Sequence, residues 1–249
     1  MKRTERRHLK ENEIGLLVQQ VLDAYEAHKR AAILAGYALL AIVLLAGGYY
    51  YWQRTVNAHA EAKLAEATGV LNAPVAPPAA PTAAGKPAPP PPPGSYPSET
   101  ARLEAALPML KATADAYPSA RAGIAARYQE AATLVSLGRP AEAIAAYREV
   151  MARAGEGLYG QMARLGLAEA EVTLGHYAQA IATFKAMSLR TGGDLPVDGI
   201  LMQLGRTDVA AGKTADAVAA FKRIVDEFPD SPYAADAHQQ LDTLQGRDS

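Results

Sequence analysis

The sequence contains no cysteine among its 249 residues. This absence excludes disulfide bonds, zinc sites with cysteine ligands, thiol catalysis and an anchor built on a lipid-modified cysteine. It does not exclude an oxidising compartment, because a helical domain with an adequate core needs no disulfide bond. Phe and Trp are also scarce, with three Phe and one Trp. Few of these residues among many alanines indicate closely packed helices with small side chains between them.

The sequence also lacks any arrangement of residues that is typical of catalysis or of metal binding. No two of its five histidines are spaced i, i+4, as paired ligands on one helix face would be. Gly192-Gly193 has no strand before it to form a phosphate-binding loop, and no Gly-x-Ser-x-Gly occurs. A net charge of −1 and the absence of a basic stripe argue against nucleic acid as a partner. We therefore predict no enzyme activity, no cofactor and no metal site.

One long apolar run stands out, at Ala31–Trp52, where 22 residues carry no charge. As a helix it would span about 33 Å, enough for the ~30 Å hydrocarbon core of a bilayer. Lys29 and Arg30 precede it, and the aromatic cluster Tyr49–Trp52 ends it, as expected at a membrane interface. The alternatives are a buried helix of a soluble protein and a signal peptide cleaved near Ala58-His59-Ala60. The run is longer than the 7–15 residues of a signal peptide, so we predict a transmembrane helix at 31–52.

The charges around this run predict its orientation. Residues 1–30 carry seven Lys or Arg against five Asp or Glu, and few basic residues follow the run closely. The positive-inside rule then places the N-terminus in the cytoplasm and the C-terminal part outside. Residues 1–30 also hold an apolar stripe at helical spacing, which would bind a partner, lie on the inner leaflet or only lead into the membrane helix. The stripe consists of Ile14, Leu17, Val18, Val21, Leu22 and Tyr25.

Two segments of different composition follow. Residues 53–72 are predicted to be a juxtamembrane helix with Val56, Ala60, Leu64 and Ala67 on one face, and self-association through this face is an open alternative. Residues 73–98 hold 11 of the 17 prolines. We expect this Pro/Ala-rich linker to be an extended, semi-rigid spacer before the next domain, or less plausibly a proline-rich ligand.

Residues 99–249 contain an internal repeat. The stretches at 137–147, 174–184 and 211–221 align with a constant period of 37 residues. A period of this size indicates a stacked array of helix pairs. The glycine of each repeat is expected to end a first helix with a left-handed backbone, the alanine to allow close approach, and the aromatic residue to fill the space between pairs. These repeat-defining residues, with the helix-ending proline, are Gly138, Ala143, Tyr147, Gly175, Ala180, Phe184, Gly212, Ala217, Phe221 and Pro229.

The pattern resembles the tetratricopeptide repeat, for which Leu204-Gly205, Gly212, Ala217, Phe221 and Pro229 have the characteristic spacing. The resemblance implies an all-α helical solenoid at 99–249, with the helices near 100–117 and 232–244 closing its ends. There are two departures from the pattern. The period is three residues longer than the usual 34, and arginine replaces the expected large apolar residue at 127 and 164.

Two more specific resemblances concern the whole chain. The repeat spacing and the ending EFPDSPYAADA are similar to envelope repeats of the Tol-Pal-associated YbgF type. The layout of a short cytoplasmic head, one membrane helix, an Ala-rich helix and terminal repeats resembles the YfgM family. That resemblance implies a single-pass protein of the bacterial inner membrane with a periplasmic repeat domain.

In the repeat family, fixed positions of each first helix form a groove that binds peptides. Carried onto this sequence, the groove positions of the family correspond to ten mostly apolar residues. They are Tyr128, Ala132, Val135, Met162, Leu165, Glu169, Val172, Met202, Arg206 and Val209. We predict a membrane-anchored protein-interaction module. By resemblance to YfgM, its partners would be translocon subunits, periplasmic chaperones or exported chains, with the bilayer contacted through 31–52. The alternatives are an envelope-assembly or cell-division scaffold and a self-associating structural protein.

Overall fold

A computed structural model describes residues 29–76, 92–190 and 194–246. In these residues nine helices follow one another and no strand forms, which confirms the all-α prediction. The apolar stripe predicted at 14–25 lies outside the described residues. The helices are α1 Lys29–Leu71, α2 Glu99–Ala116, α3 Arg121–Ser136, α4 Pro140–Ala154, α5 Leu158–Thr173, α6 Tyr177–Ser188, α7 Val197–Ala210, α8 Thr214–Glu227 and α9 Ala234–Gln245.

The chain divides between Thr55 and Val56 into two compact units. The first unit contains the apolar part of α1, where every large apolar side chain from Ile33 to Trp52 is exposed. By length and composition α1 is able to cross a membrane. The core helix of a soluble protein would instead be mostly buried, so the exposure on all sides favours a surrounding of lipid. The membrane span stays a prediction that this exposure supports.

In the second unit, three helix pairs form the repeats: α3 with α4 (repeat 1), α5 with α6 (repeat 2) and α7 with α8 (repeat 3). Gly138, Gly175 and Gly212 end the first helices with φ of 72°, 76° and 73°, as predicted. The Gly138 N–H donates to the Val135 carbonyl, and the following N–H reaches back to the Leu134 carbonyl at 2.8 Å. The same two bonds recur in repeats 2 and 3, so each turn satisfies the last carbonyls of its first helix.

The aromatic residues of the second helices fill space that small residues leave open. Tyr147 lies against Gly166 of the next pair, and Phe221 lies against Gly205 of its own pair. A Cβ added at either glycine would come within 2.5 Å of the ring, so no other residue fits there without movement. The helices predicted to close the array are present: α2 packs on α3, and α9 packs on α8.

The last part of α1 belongs to the second unit. Ala60 and Ala67 are fully buried, and Ala60 packs in one apolar cluster with Ala120 and Ala122 at the start of α3. Leu64 packs against the same cluster. This face was the predicted surface for self-association, and it is already covered by the same chain. It is therefore not available to a second copy, which corrects the interpretation of residues 53–72 as a dimer seam.

The ends of the Pro/Ala-rich segment are paired with each other. The Ala76 N–H donates to the Tyr96 carbonyl at 2.8 Å, and the Tyr96 N–H donates to the Pro74 carbonyl at 2.9 Å. Arg102 of α2 also donates from Nη1 to the Ala73 carbonyl at 3.2 Å. The two described ends of the segment therefore lie close together, beside the start of α2. Its role as a spacer stays a prediction, because residues 77–91 lie outside the described residues.

Arginine at position 127 has a structural explanation. The Arg127 side chain is only 11% exposed and forms ion pairs with Asp115, with Glu130 and with Glu149. Glu130 is itself 8% exposed, and its carboxylate lies 2.6 Å from Arg127 Nη1. In repeat 3 the positions equivalent to 127 and 130 hold Leu201 and Leu204, which are buried in the apolar core. Repeat 1 thus uses a buried ion pair where repeat 3 uses two leucines.

This difference predicts the effect of two variants. Arg127→Ala is expected to lower the free energy of unfolding by about 3–5 kcal/mol, because Glu130 stays buried without its cation. The double variant Arg127→Leu, Glu130→Leu copies repeat 3 and is expected to be at least as stable as the parent chain. Chemical unfolding of the full chain in detergent, followed by circular dichroism, measures both. A double variant less stable than Arg127→Ala would contradict the comparison of the two repeats.

Two further carboxyl groups are buried near the ends of first helices. Glu171 and Asp208 occupy the same position of repeats 2 and 3 and are 6% and 2% exposed. One oxygen of each carboxyl group, Glu171 Oε2 and Asp208 Oδ1, lacks a hydrogen-bond partner. Burial is the main cause that raises the pKa of both side chains above the ordinary range. At Asp208 the charge of Asp216 adds to this effect, while Lys213 and Lys185 oppose it.

A raised pKa at Asp208 predicts how stability depends on pH. The folded state keeps the proton at pH values where the unfolded chain has lost it, so stability falls as pH rises above about 3.8 toward the folded pKa. Asp208→Asn is expected to remove this part of the pH dependence of stability. It should also raise the free energy of unfolding at pH 7 by about 1 kcal/mol. Unfolding curves of parent and variant between pH 4 and 7 measure it, with Asp230→Asn as the exposed control. Equal pH dependence in parent and Asp208→Asn would contradict the assignment.

Candidate protein-binding groove

The first helices of the three repeats place equivalent residues in rows. Positions one period apart carry Tyr128, Leu165 and Met202 in one row, and Ala132, Glu169 and Arg206 in the next. A third row consists of Val135, Val172 and Val209. Within each helix the three positions are spaced i, i+4 and i+7, which puts them on one face. The sequence-predicted groove residues therefore share one face of α3, α5 and α7, with Met162 one turn before Leu165 on α5.

The rows differ in how much surface they offer to a ligand. Glu169 and Arg206 are exposed, and the three valines, Tyr128, Ala132, Met162 and Leu165 are partly buried. Met202 is only 1% exposed and lies in the core cluster that includes Ala237 and Leu241 of α9. This corrects the prediction for Met202, because its burial in that cluster leaves it no surface for a ligand.

A cleft with a volume of about 190 Å³ opens between α5 and α7. Glu169 and Val172 line one wall, Gln203 and Arg206 line the other, and Phe184 of α6 lies at its base. No ion pair between Glu169 and Arg206 is found in the described residues, because Arg206 pairs with Asp236 of α9. The cleft thus combines an apolar floor with one carboxylate and one guanidinium group at its rim.

Beside this cleft, three tyrosine rings from different helices form a cluster. The ring centroids of Tyr128 and Tyr147 are 5.9 Å apart, and those of Tyr128 and Tyr159 are 6.0 Å apart. Both pairs are tilted, at 55° and 58°, a geometry that aromatic rings favour over face-to-face stacking. The cluster joins α3, α4 and α5 and fixes the Tyr128 ring at the surface of the first helices.

The negative charge of Glu169 affects the pKa values of two tyrosines in this region. Burial raises the pKa of Tyr128 and of Tyr147, and the negative charge of Glu169 raises both further. Partial burial raises the pKa of Glu169 itself, although the side chain keeps an exposed surface. Glu169 thus lines the cleft and lies close enough to Tyr128 and Tyr147 for its charge to act on both.

Sequence reasoning missed several residues of this surface. Gln203, Thr207 and Phe184 line the cleft, and Asp236 pairs with Arg206, but none of these four residues occupies a groove position of the repeat family. Helical spacing from Arg206 would have found Gln203, whereas nothing in the sequence pairs Asp236 with Arg206. Within the described residues, no group of three or more His, Asp or Glu side chains is arranged to hold a metal ion.

Comparisons with known proteins agree with this architecture. Residues 134–198 match one sequence profile described as tetratricopeptide repeat, and residues 200–231 match a second with the same description. This part of the chain is therefore similar in sequence to tetratricopeptide repeats. No curated protein sequence matches the chain.

Solved structures were also found that match 59% of this chain. A single-residue variant of the TPR-like repeats from Podosopora anserina superposes with a TM-score of 0.50 and 17% identity, covering 59% of this chain and 80% of that one. A tetratricopeptide repeat protein from Parabacteroides merdae gives 0.49 and 17%, covering 59% and 55%. MamA gives 0.48 and 18%, covering 59% and 79%. At these identities the likeness concerns the fold alone.

Proposed function

We propose that this tetratricopeptide-repeat chain is a membrane-anchored module that binds segments of other proteins along the first-helix face of α3, α5 and α7. The observation that carries the proposal is the row of three partly exposed valines on this face, of which Val172 lines the cleft between α5 and α7. Apolar side chains around a few fixed polar groups are typical of peptide-binding grooves. The surface of adjacent first helices is continuous, so an extended segment would contact more than one repeat.

A finer proposal concerns the place where the module acts. The basic residues before α1 and the apolar, exposed helix itself support a single-pass anchor with the repeats on the outer side of a bacterial inner membrane. The resemblance of this layout to the YfgM family supports a role as accessory subunit of the protein-export translocon, passing emerging chains to periplasmic chaperones. The anchor would raise the effective concentration of the groove near those chains, without covalent chemistry.

A substitution in the groove tests the binding surface. Ala132 lies in the same row as Glu169 and Arg206, and its small side chain is partly buried. Ala132→Arg is expected to weaken binding of an unfolded, fluorescently labelled secretory chain at least about tenfold, because the long side chain would occupy the groove. The matched control is Ala145→Arg, at an exposed position of α4. Equal weakening by both variants, or by neither, would exclude the first-helix face.

The membrane proposal predicts the partners found in cells. Affinity purification of the full chain from gently solubilised membranes is expected to recover translocon subunits together with periplasmic chaperones. A reporter that is active only outside the cytoplasm serves as the control, since it should be active after Ser249 and inactive before Met1. Recovery of Tol or peptidoglycan-synthesis proteins without translocon subunits would favour the alternative role as an envelope scaffold.

A further inference from the structure

Glu169 differs from the three buried carboxylates because its side chain is exposed and has no cation beside it. Glu130 pairs with Arg127, Glu171 faces the charges of Arg148 and His176, and Asp208 faces those of Lys185 and Lys213. Glu169 is exposed at the edge of the cleft between α5 and α7 and forms no ion pair in the described residues. A cationic ligand can therefore pair with it without breaking an existing ion pair.

The surroundings of Glu169 complete a site for such a cation. The Tyr128 ring lies on one side, held by its contacts with Tyr147 and Tyr159. The electron-rich face of a tyrosine attracts ammonium and guanidinium groups, and a nearby carboxylate strengthens that attraction. In the row of equivalent positions, Ala132 before Glu169 is uncharged, and Arg206 after it is neutralised by Asp236. The charge that this row offers to a ligand is therefore the single negative charge of Glu169.

An apolar site adjoins the charged one. Val172 lies one turn after Glu169 on α5, and the cleft beside both residues has Phe184 at its base. Its volume of about 190 Å³ has room for one aliphatic side chain. A segment that lies along the groove would thus present a cation to Glu169 and an apolar residue to the cleft.

We propose that the groove selects protein segments in which a lysine or arginine lies next to an apolar residue, with the cation held between Glu169 and the Tyr128 ring. This inference rests on the proposed function, since it names the chemistry of the segment that the groove binds. The occupant follows from charge complementarity, because the carboxylate is the one unpaired charge of this row of the groove.

The test uses the full chain in detergent and a set of labelled peptides that are blocked at both ends. The peptides share an apolar flanking sequence and differ at one central residue, which is Arg, Lys, Gln or Glu. Fluorescence anisotropy is expected to show that the Arg and Lys peptides bind about tenfold more tightly than the Gln peptide. The peptide with a central Glu is expected to bind most weakly. Glu169→Gln, which keeps the shape of the side chain, is expected to remove this preference.

Two further variants complete the design. Glu169→Lys is expected to reverse the preference toward the Glu peptide. Asp226→Asn, which removes an exposed carboxylate on the second helix of repeat 3, should leave the preference unchanged. Thermal unfolding of each variant confirms that it folds as the parent chain does.

The outcomes separate this inference from the proposed function. If all four peptides bind the parent equally and Ala132→Arg still weakens them, the groove binds protein segments and the selection by Glu169 is overturned. The same holds if the preference for Arg and Lys survives in Glu169→Gln. If no peptide binds the parent, both the selection and the proposed groove are overturned.

Discussion

The repeat domain depends on close contact between an aromatic ring and a residue without a side chain. Tyr147 occupies the space at Gly166, and Phe221 occupies the space at Gly205. With the ring in that position, a second helix and the first helix beside it approach each other closely. Water is thereby excluded from the alanine-rich interface between them. The left-handed glycines at 138, 175 and 212 then turn the chain at the same point of every repeat. Together these contacts give the three first helices a common face.

The chemistry of that face is set by a few equivalent positions at which the three repeats carry different side chains. The third row keeps valine in all three repeats, while the row of Ala132, Glu169 and Arg206 changes from neutral to negative to positive. The pairing of Arg206 with Asp236 cancels the positive charge, so the negative one stands alone. Equivalent positions in a repeat protein have nearly the same backbone, and differences in recognition therefore arise from side chains alone.

Much of this architecture could be predicted from the sequence because periodicity reports local structure. The 37-residue period placed the turns and the first and second helices, and these agree with the structure. What the sequence did not reveal depends on contacts between distant residues. Nothing in the period shows that Met202 would be buried in the core cluster, or that Arg127 would be buried by its pairing with Glu130. The proline content of residues 73–98 likewise does not indicate that Val75 and Tyr96 pair.

The pairing of Val75 with Tyr96 has a consequence for how this part of the chain tolerates change. Hydrogen bonds of Tyr96 with Pro74 and Ala76 hold the two described ends of the Pro/Ala-rich segment together. In general, doubling the number of residues between two joined points of a chain costs only about 0.6 kcal/mol in closure entropy. A longer or shorter sequence between Ala76 and Tyr96 would therefore change the free energy of this pairing only slightly.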